Sequence, residues 1–209
     1  MHYKLFIPIG IMLICGCLHN RQHTSQDPLS SIPKEQLDSI MALAQAQAAQ
    51  ADTLGTLILS IDNSVKATPA DKSPDSTLPW VSIAETDTEI KRLINPDEIV
   101  LPFTRARLII DYPLNNPAIF ELSASGKGFT RKELIKYIGD KYHMIYEEEE
   151  QSATTKTVPL NERKELINRN TTDGKYGVWG HDLSDLSLST IEVYRDDKGQ
   201  ISLVLDINS

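Results

Sequence analysis

The sequence predicts an α+β fold: an antiparallel sheet in the order β-β-α-α-β-β with its helices on one face. A long amphipathic helix and a Pro-rich linker are expected before it. Three observations carry this reading. Apolar residues alternate at period two in "RARLIIDY" (105–112) and again in "ISLVLDIN" (201–208). Thr130 and Glu133 form a capping box that opens a stretch of helical period between them. The strand segments cluster at the two ends of the folded region instead of alternating with helices, which favours an antiparallel arrangement.

The chain starts "MHYKLFIPIGIMLICGCLHN", with one cation, Lys4, ahead of an apolar run from Leu5 to Leu18. At about 1.5 Å per residue the run is too short to cross a bilayer core of roughly 30 Å as a helix. A basic start, a short apolar core and small residues after it form a secretory signal. Ile14-Cys15-Gly16-Cys17 resembles the bacterial lipobox, with an aliphatic residue at −3, a small residue at −1 and the acceptor cysteine at +1. Cys15 departs from the usual residue at −2. The resemblance implies a lipoprotein signal peptide over 1–16, cleavage before Cys17, and lipidation of Cys17 with diacylglycerol and a palmitate-type acyl chain. Each buried methylene contributes about 0.8 kcal/mol, so two or three chains anchor a protein where one does not. Leu18 after the cysteine implies, by the same resemblance, sorting to the outer membrane of a two-membrane cell envelope.

Both cysteines of the chain lie in Cys15–Cys17, so the segment beyond them forms no internal disulfide and has no cysteine nucleophile or metal ligand. The formal net charge is −8, and loss of the signal with its single cation makes it −9. Sequence-independent nucleic-acid binding, which needs cations against phosphates, is excluded as a function class.

Residues 17–32 are polar and aperiodic, a flexible tether. In residues 33–65 the positions Leu37, Ile40, Ala44, Gln47, Ala51, Leu54, Ile58, Ile61 and Val65 recur at steps of three and four, and eight of these nine are apolar. That spacing predicts an amphipathic helix, interrupted at Gly55, that packs on the following domain or self-associates. Residues 66–80 carry Pro69, Pro74 and Pro79 among Ser, Thr, Asp and Lys, the composition of an extended linker. The α+β domain is expected over 81–209.

Within it, Thr86 to Ile94 reads as a short helix stopped by Asn95-Pro96. Ala106, Leu108, Ile110 and Tyr112 form one strand face, and Ala118, Phe120, Leu122 and Ala124 another. The capped helix carries Leu134, Ile138, Tyr142 and Ile145 on one side and ends in the run Glu147–Glu150, read as a solvated helix end. Leu160 to Asn168 reads as a second, shorter helix. The last two strands form a hairpin across "DDKG". The apolar parity slips between Leu186/Leu188 and Ile191/Val193, which places a bulge near Ser189–Thr190.

The chemically richest stretch is "NRNTTDGKYGVWGHDLSDL" (168–186). His181, Asp182 and Asp185 are the candidate catalytic or metal-binding set, because one imidazole and two carboxylates can hold a divalent ion or orient a base. The His-Asp pair resembles that of metal phosphohydrolases, but the further ligands and the all-helical scaffold of that family are missing. The glycines lack the strand-then-helix context of a phosphate loop. Gly174, Gly177, Trp179 and Gly180 are instead assigned to a structural turn. No nucleophile-elbow or Ser-x-x-Lys motif occurs.

Phe129-Thr130-Arg131, Tyr146-Glu147-Glu148-Glu149, Asn168–Gly174 and Gly177–Leu183 together resemble a recurring domain of unknown function that would cover about 105–209. That resemblance implies one domain and no site. The sequence reads best as a lipid-anchored envelope protein that binds a partner or ligand at the membrane surface. The expected partners are the membrane, through the anchor, and a protein or second copy, through the Leu37–Val65 helix. No cofactor and no nucleic acid are expected. The alternative is a metal-dependent or His-based hydrolase using His181, Asp182 and Asp185.

Overall fold

The computed structural model describes residues 54–164 and 168–209. Its strands are β1 (Thr56–Asp62), β2 (Val65–Lys66), β3 (Thr77–Leu78), β4 (Val81–Ser82), β5 (Ile99–Leu101), β6 (Arg105–Ile110), β7 (Ala118–Ser123), β8 (Phe129–Thr130), β9 (Ser187–Arg195) and β10 (Ile201–Asn208). The α-helices that lie wholly within the described residues are α1 (Thr86–Glu89), which continues into a 3-10 turn at Ile90–Arg92, and α2 (Arg131–Ser152). The fold is mixed α+β with a mostly sheet core. No helix among the described residues is long and apolar enough to cross a membrane.

The main sheet has the order β1-β9-β10-β6-β7, and β4 pairs with β9 beyond the end of β1. The expectation of a wholly antiparallel sheet is corrected at one place. β10 runs parallel to β6, with Leu203 opposite Leu108, while the other pairs in this sheet are antiparallel. The cause is the order of insertion: the C-terminal hairpin enters between β1 and β6, so a hairpin strand must lie beside one from the middle of the chain.

The register sorts the side chains into two faces. One face presents Leu59, Ile61, Ile191, Val193, Leu203, Leu205, Leu108, Ile110 and Leu122 to the core. The same core takes in Leu134, Ile135, Ile138, Tyr142 and Ile145 of α2. Thr130 caps α2: its hydroxyl accepts the Glu133 N–H at 3.3 Å, and the Glu133 carboxylate accepts the Thr130 N–H at 2.8 Å. The opposite face carries Leu57, Tyr194, Ser202, Arg107 and Glu121 in one row, then Ser60, Glu192, Val204, Ile109 and Ile119, then Asp62, Thr190 and Asp206. None of these belongs to the core cluster, and Ile119 is 57 % exposed.

Three expectations about the chain are corrected. Residues 33–65 were expected as one helix, but Thr56–Asp62 and Val65–Lys66 are strands; positions before 54 lie outside the described residues. "TLILSID" is rich in β-branched and aliphatic residues, and its backbone pairs with β9 from Thr56↔Arg195 to Asp62↔Thr190. Gly55 turns the chain into β1 at φ +88, and a Cβ there would lie 2.3 Å from the Arg195 carbonyl oxygen. The helical stripe was mimicked because Ile58 is bulged out between Leu57 and Leu59, which breaks the period-two pattern.

Residues 66–80 are folded rather than an extended linker, so the folded unit begins before position 81. β2 and β3 form a hairpin, and Val65 and Leu78 are buried in the core. Pro69 starts a 3-10 turn over Pro69–Asp71, where proline costs no hydrogen bond. Arg92 ties this turn down through Asp71 at 2.9 Å while also pairing with Glu89 at 2.8 Å.

The expected helix from Leu160 to Asn168 is a single 3-10 turn, Leu160–Glu162, with Arg163 extended after it; residues 165–167 lie outside the described residues. The helical run from Thr86 also changes to 3-10 at Ile90, and Asn95 takes φ +49. The bulge on β9 does lie at Ser189: Thr190 pairs with Asp206 and Leu188 with Ile207, which leaves Ser189 as the extra residue.

Candidate functional site

The last turn of α2 organises the loop 168–186. Glu149 follows Tyr142 and Ile145 at helical spacing and is fully buried. Its carboxylate accepts the Thr172 hydroxyl at 2.6 Å and the Gly174 N–H at 2.8 Å on one oxygen. The other oxygen accepts the Tyr176 N–H at 2.7 Å and the Gly177 N–H at 3.1 Å. Burial pushes this carboxyl's pKa up, but the four donors outweigh it and hold the group below its ordinary 4.5. The reading of Glu147–Glu150 as a solvated helix end is therefore corrected at Glu149. Glu148 faces the same loop, bound by the Lys175 ammonium at 2.7 Å and the Tyr176 hydroxyl at 2.6 Å.

The glycines of the loop serve this arrangement. A Cβ on Gly174 would lie 2.7 Å from the Glu149 carboxylate and from its backbone oxygen. Gly177 and Gly180 take φ +63 and +70. The Trp179 N–H donates to the Pro113 carbonyl at 3.1 Å, and the Tyr112 ring meets the indole edge-on at 5.2 Å.

The candidate set does not converge. The His181 ring lies in an aromatic group, 5.5 Å from the Tyr112 ring and 5.8 Å from the Trp179 ring, with Nε2 3.5 Å from the Ser209 hydroxyl. The Asp182 carboxylate is gripped by the Arg163 guanidinium at 2.6 and 2.9 Å. Asp185 turns back to accept the Asp182 N–H at 2.9 Å, closing the 3-10 turn Leu183–Asp185. The three side chains thus have three separate partners. Among the described residues no group of three His, Cys, Asp or Glu side chains is placed to hold a metal ion.

A different site lies at the end of the sheet face opposite the α2 core. An open cleft of about 860 Å³ is lined on the strands by Asp62, Thr190, Asp206 and the bulged Ser189, and its wall includes Trp80 and Asp185. The bulge shapes it. β1 pairs with β9 up to Thr190, β4 pairs from Leu188, and the Ser189 carbonyl between them accepts the Asn63 N–H at 2.8 Å. The Ser189 hydroxyl donates to Asp206 at 2.7 Å and that of Thr190 to Asp62 at 3.1 Å. Trp80, in the β3–β4 turn, is 41 % exposed. Bulges commonly re-aim side chains beside functional sites.

The sequence marked the bulge but not the cleft, because Asp62 and Trp80 lie in segments read as helix and linker. Glu149 was legible in principle as the next step of the buried Tyr142–Ile145 stripe. Comparison of the chain with protein-family models, with curated proteins and with solved structures gives no match.

Proposed function

We propose that this chain is a lipid-anchored cell-envelope protein, held through Cys17, whose folded domain is a binding module at the membrane surface. The observation that supports binding is the cleft between Trp80 and the Asp62–Asp206 row, at the end of a sheet face outside the core. Open concave sites with a few convergent polar groups and an exposed aromatic are the usual form of a small-ligand site. The hydrolase alternative on His181, Asp182 and Asp185 draws no support from the geometry, since each of the three is engaged elsewhere.

The anchor follows from the lipobox alone, and outer-membrane sorting from Leu18 after the cysteine. Self-association or a protein partner at the amphipathic stretch from Leu37, which begins outside the described residues, belongs to the same reading. Fractionation of cells carrying the wild-type chain and Cys17→Ser tests the anchor. The wild type should sediment with the outer membrane and the variant should appear in the soluble periplasmic fraction. Membrane retention of the variant would sink the anchoring claim.

A further inference from the structure

We propose that the cleft beside Trp80 receives an organic cation bearing N–H donors, an ammonium or guanidinium group; this rests on the reading of the cleft as the binding site. Three features of its wall point the same way. The first is charge: Asp62, Asp185 and Asp206 line it, and among the described residues no Lys, Arg or His does. The chain as a whole is at −8, so its long-range field adds to the local attraction for a cation.

The second is an acceptor without a donor. Asn63 is 1 % exposed and lines the cleft. Its amide nitrogen is held by the Ile61 and Ser189 carbonyls at 3.1 and 3.3 Å, while its Oδ1 has no hydrogen-bond partner. A buried carbonyl without a donor costs on the order of 1–3 kcal/mol, which a ligand N–H would recover where binding uncovers the Asn63 amide. The hydroxyls of Ser189 and Thr190 are already turned onto Asp206 and Asp62. Around the bulge, Asp62, Asn63, Ser189, Thr190 and Asp206 thus present mainly acceptors, which suits a ligand made of donors better than a neutral polyol.

The third is the indole of Trp80, exposed on the wall, whose negative π-face attracts ammonium and guanidinium groups. A bare metal ion is a poorer fit, because no three ligating side chains are grouped to coordinate one among the described residues. An organic cation spreads its charge and its N–H groups over several ångströms and can meet separated carboxylates. The volume of about 860 Å³ admits a chain with two such groups.

The test is a titration of the full chain followed by the Trp80 indole N–H signal, identified with Trp80→Phe. The probes are 1,5-diaminopentane, a Lys-Lys dipeptide amide, sorbitol and calcium chloride. The diamine and the dipeptide should each give a saturable shift, and sorbitol none. Asp185→Asn/Asp206→Asn, which preserves size, keeps one acceptor oxygen on each side chain and removes the charge, should raise the Kd for both amines about tenfold. The tighter of the two amines identifies the source, a basic peptide or a free polyamine. Sorbitol or calcium binding as tightly as the amines, or a Kd unmoved by the double variant, overturns the cation assignment but leaves a binding cleft. No saturable shift with any probe overturns both.

Discussion

Glu149 and Tyr176 are 27 residues apart in the chain, and the carboxylate of the first accepts the backbone N–H of the second at 2.7 Å. With Thr172, Gly174 and Gly177 on the same carboxylate, one buried side chain stands in for the regular pairing that this loop lacks. Glu149→Ala leaves three backbone N–H groups without this acceptor and the Thr172 hydroxyl with only the Val178 carbonyl at 3.2 Å, and we expect a loss of about 3–5 kcal/mol. Glu149→Gln keeps the shape but replaces one acceptor oxygen with a donor facing N–H groups; it should cost about 2 kcal/mol. Urea unfolding measures both, and amide exchange over 168–186 shows whether the loss begins in the loop.

The same group sets a pH dependence. Its folded-state pKa is depressed below 4.5, so its contribution is complete above the unfolded value and is lost as pH falls through the folded one. Glu133 and Asp173 are shifted downward too, Glu133 first by the Ser125 hydroxyl and Asp173 first by the Thr155 N–H. Unfolding midpoints should therefore be flat at neutral pH and fall below about 4.5. The gap between wild type and Glu149→Gln should close as the acid transition proceeds. A gap that stays constant to the lowest pH would show that the Glu149 carboxylate does not titrate with folding.

Gly174→Ala tests the closeness of that contact. Its Cβ would come within 2.7 Å of the Glu149 carboxylate and backbone oxygen, and the latter is fixed in the last turn of α2. A cost of about 2–3 kcal/mol is expected. Gly126→Ala is the matched control, with nothing within 4 Å of the new methyl, and should change stability by less than about 0.5 kcal/mol.

Arg163 and Asp182 make a two-pronged pair in which the guanidinium side chain is only 6 % exposed. A lysine keeps the charge and loses the fork, so Arg163→Lys should cost about 1–2 kcal/mol. Asp182→Asn in the same background should add little if the two side chains act as a unit. A double-mutant cycle in urea reads the coupling directly.

Sequence periodicity located elements where one physical signal dominated. The α2 cap needs only Thr130 and Glu133, and the β10 face needs only alternation from Ile201 to Ile207. The fold became illegible where two signals overlapped. At 54–65 a bulged Ile58 turned strand spacing into apparent helix spacing, and at 66–80 three prolines concealed a hairpin whose Val65 and Leu78 are buried. The parallel β10–β6 pair is set by which strands become neighbours, which is a property of the whole sheet. Glu149 looked like one of four surface acids, because a run of identical residues hides which of them continues the buried stripe. The cleft combines Asp62, Trp80, Asp185 and Asp206 from distant parts of the chain, and no local spacing marks such a set.

The bulge at Ser189 joins fold and cleft, and deleting that residue separates the two roles. With Ser189 present, Leu186 and Leu188 are buried on one side of it and Ile191 and Val193 on the other, all four in the same core. In a strictly alternating strand these pairs cannot share a face. Deletion of the extra residue brings all four to two-residue spacing, so plain alternation keeps them on the core face and the pairing with β10 becomes regular. It also removes the carbonyl that holds the Asn63 N–H and the hydroxyl on Asp206. We expect deletion of Ser189 to cost about 1–3 kcal/mol, from the buried Asn63 N–H left without its acceptor and not from the core. Ser189→Ala, which keeps the extra backbone unit, should cost less than about 1 kcal/mol. If the deletion proved as mild as the alanine variant, the Asn63 N–H would not depend on the bulge carbonyl for a partner.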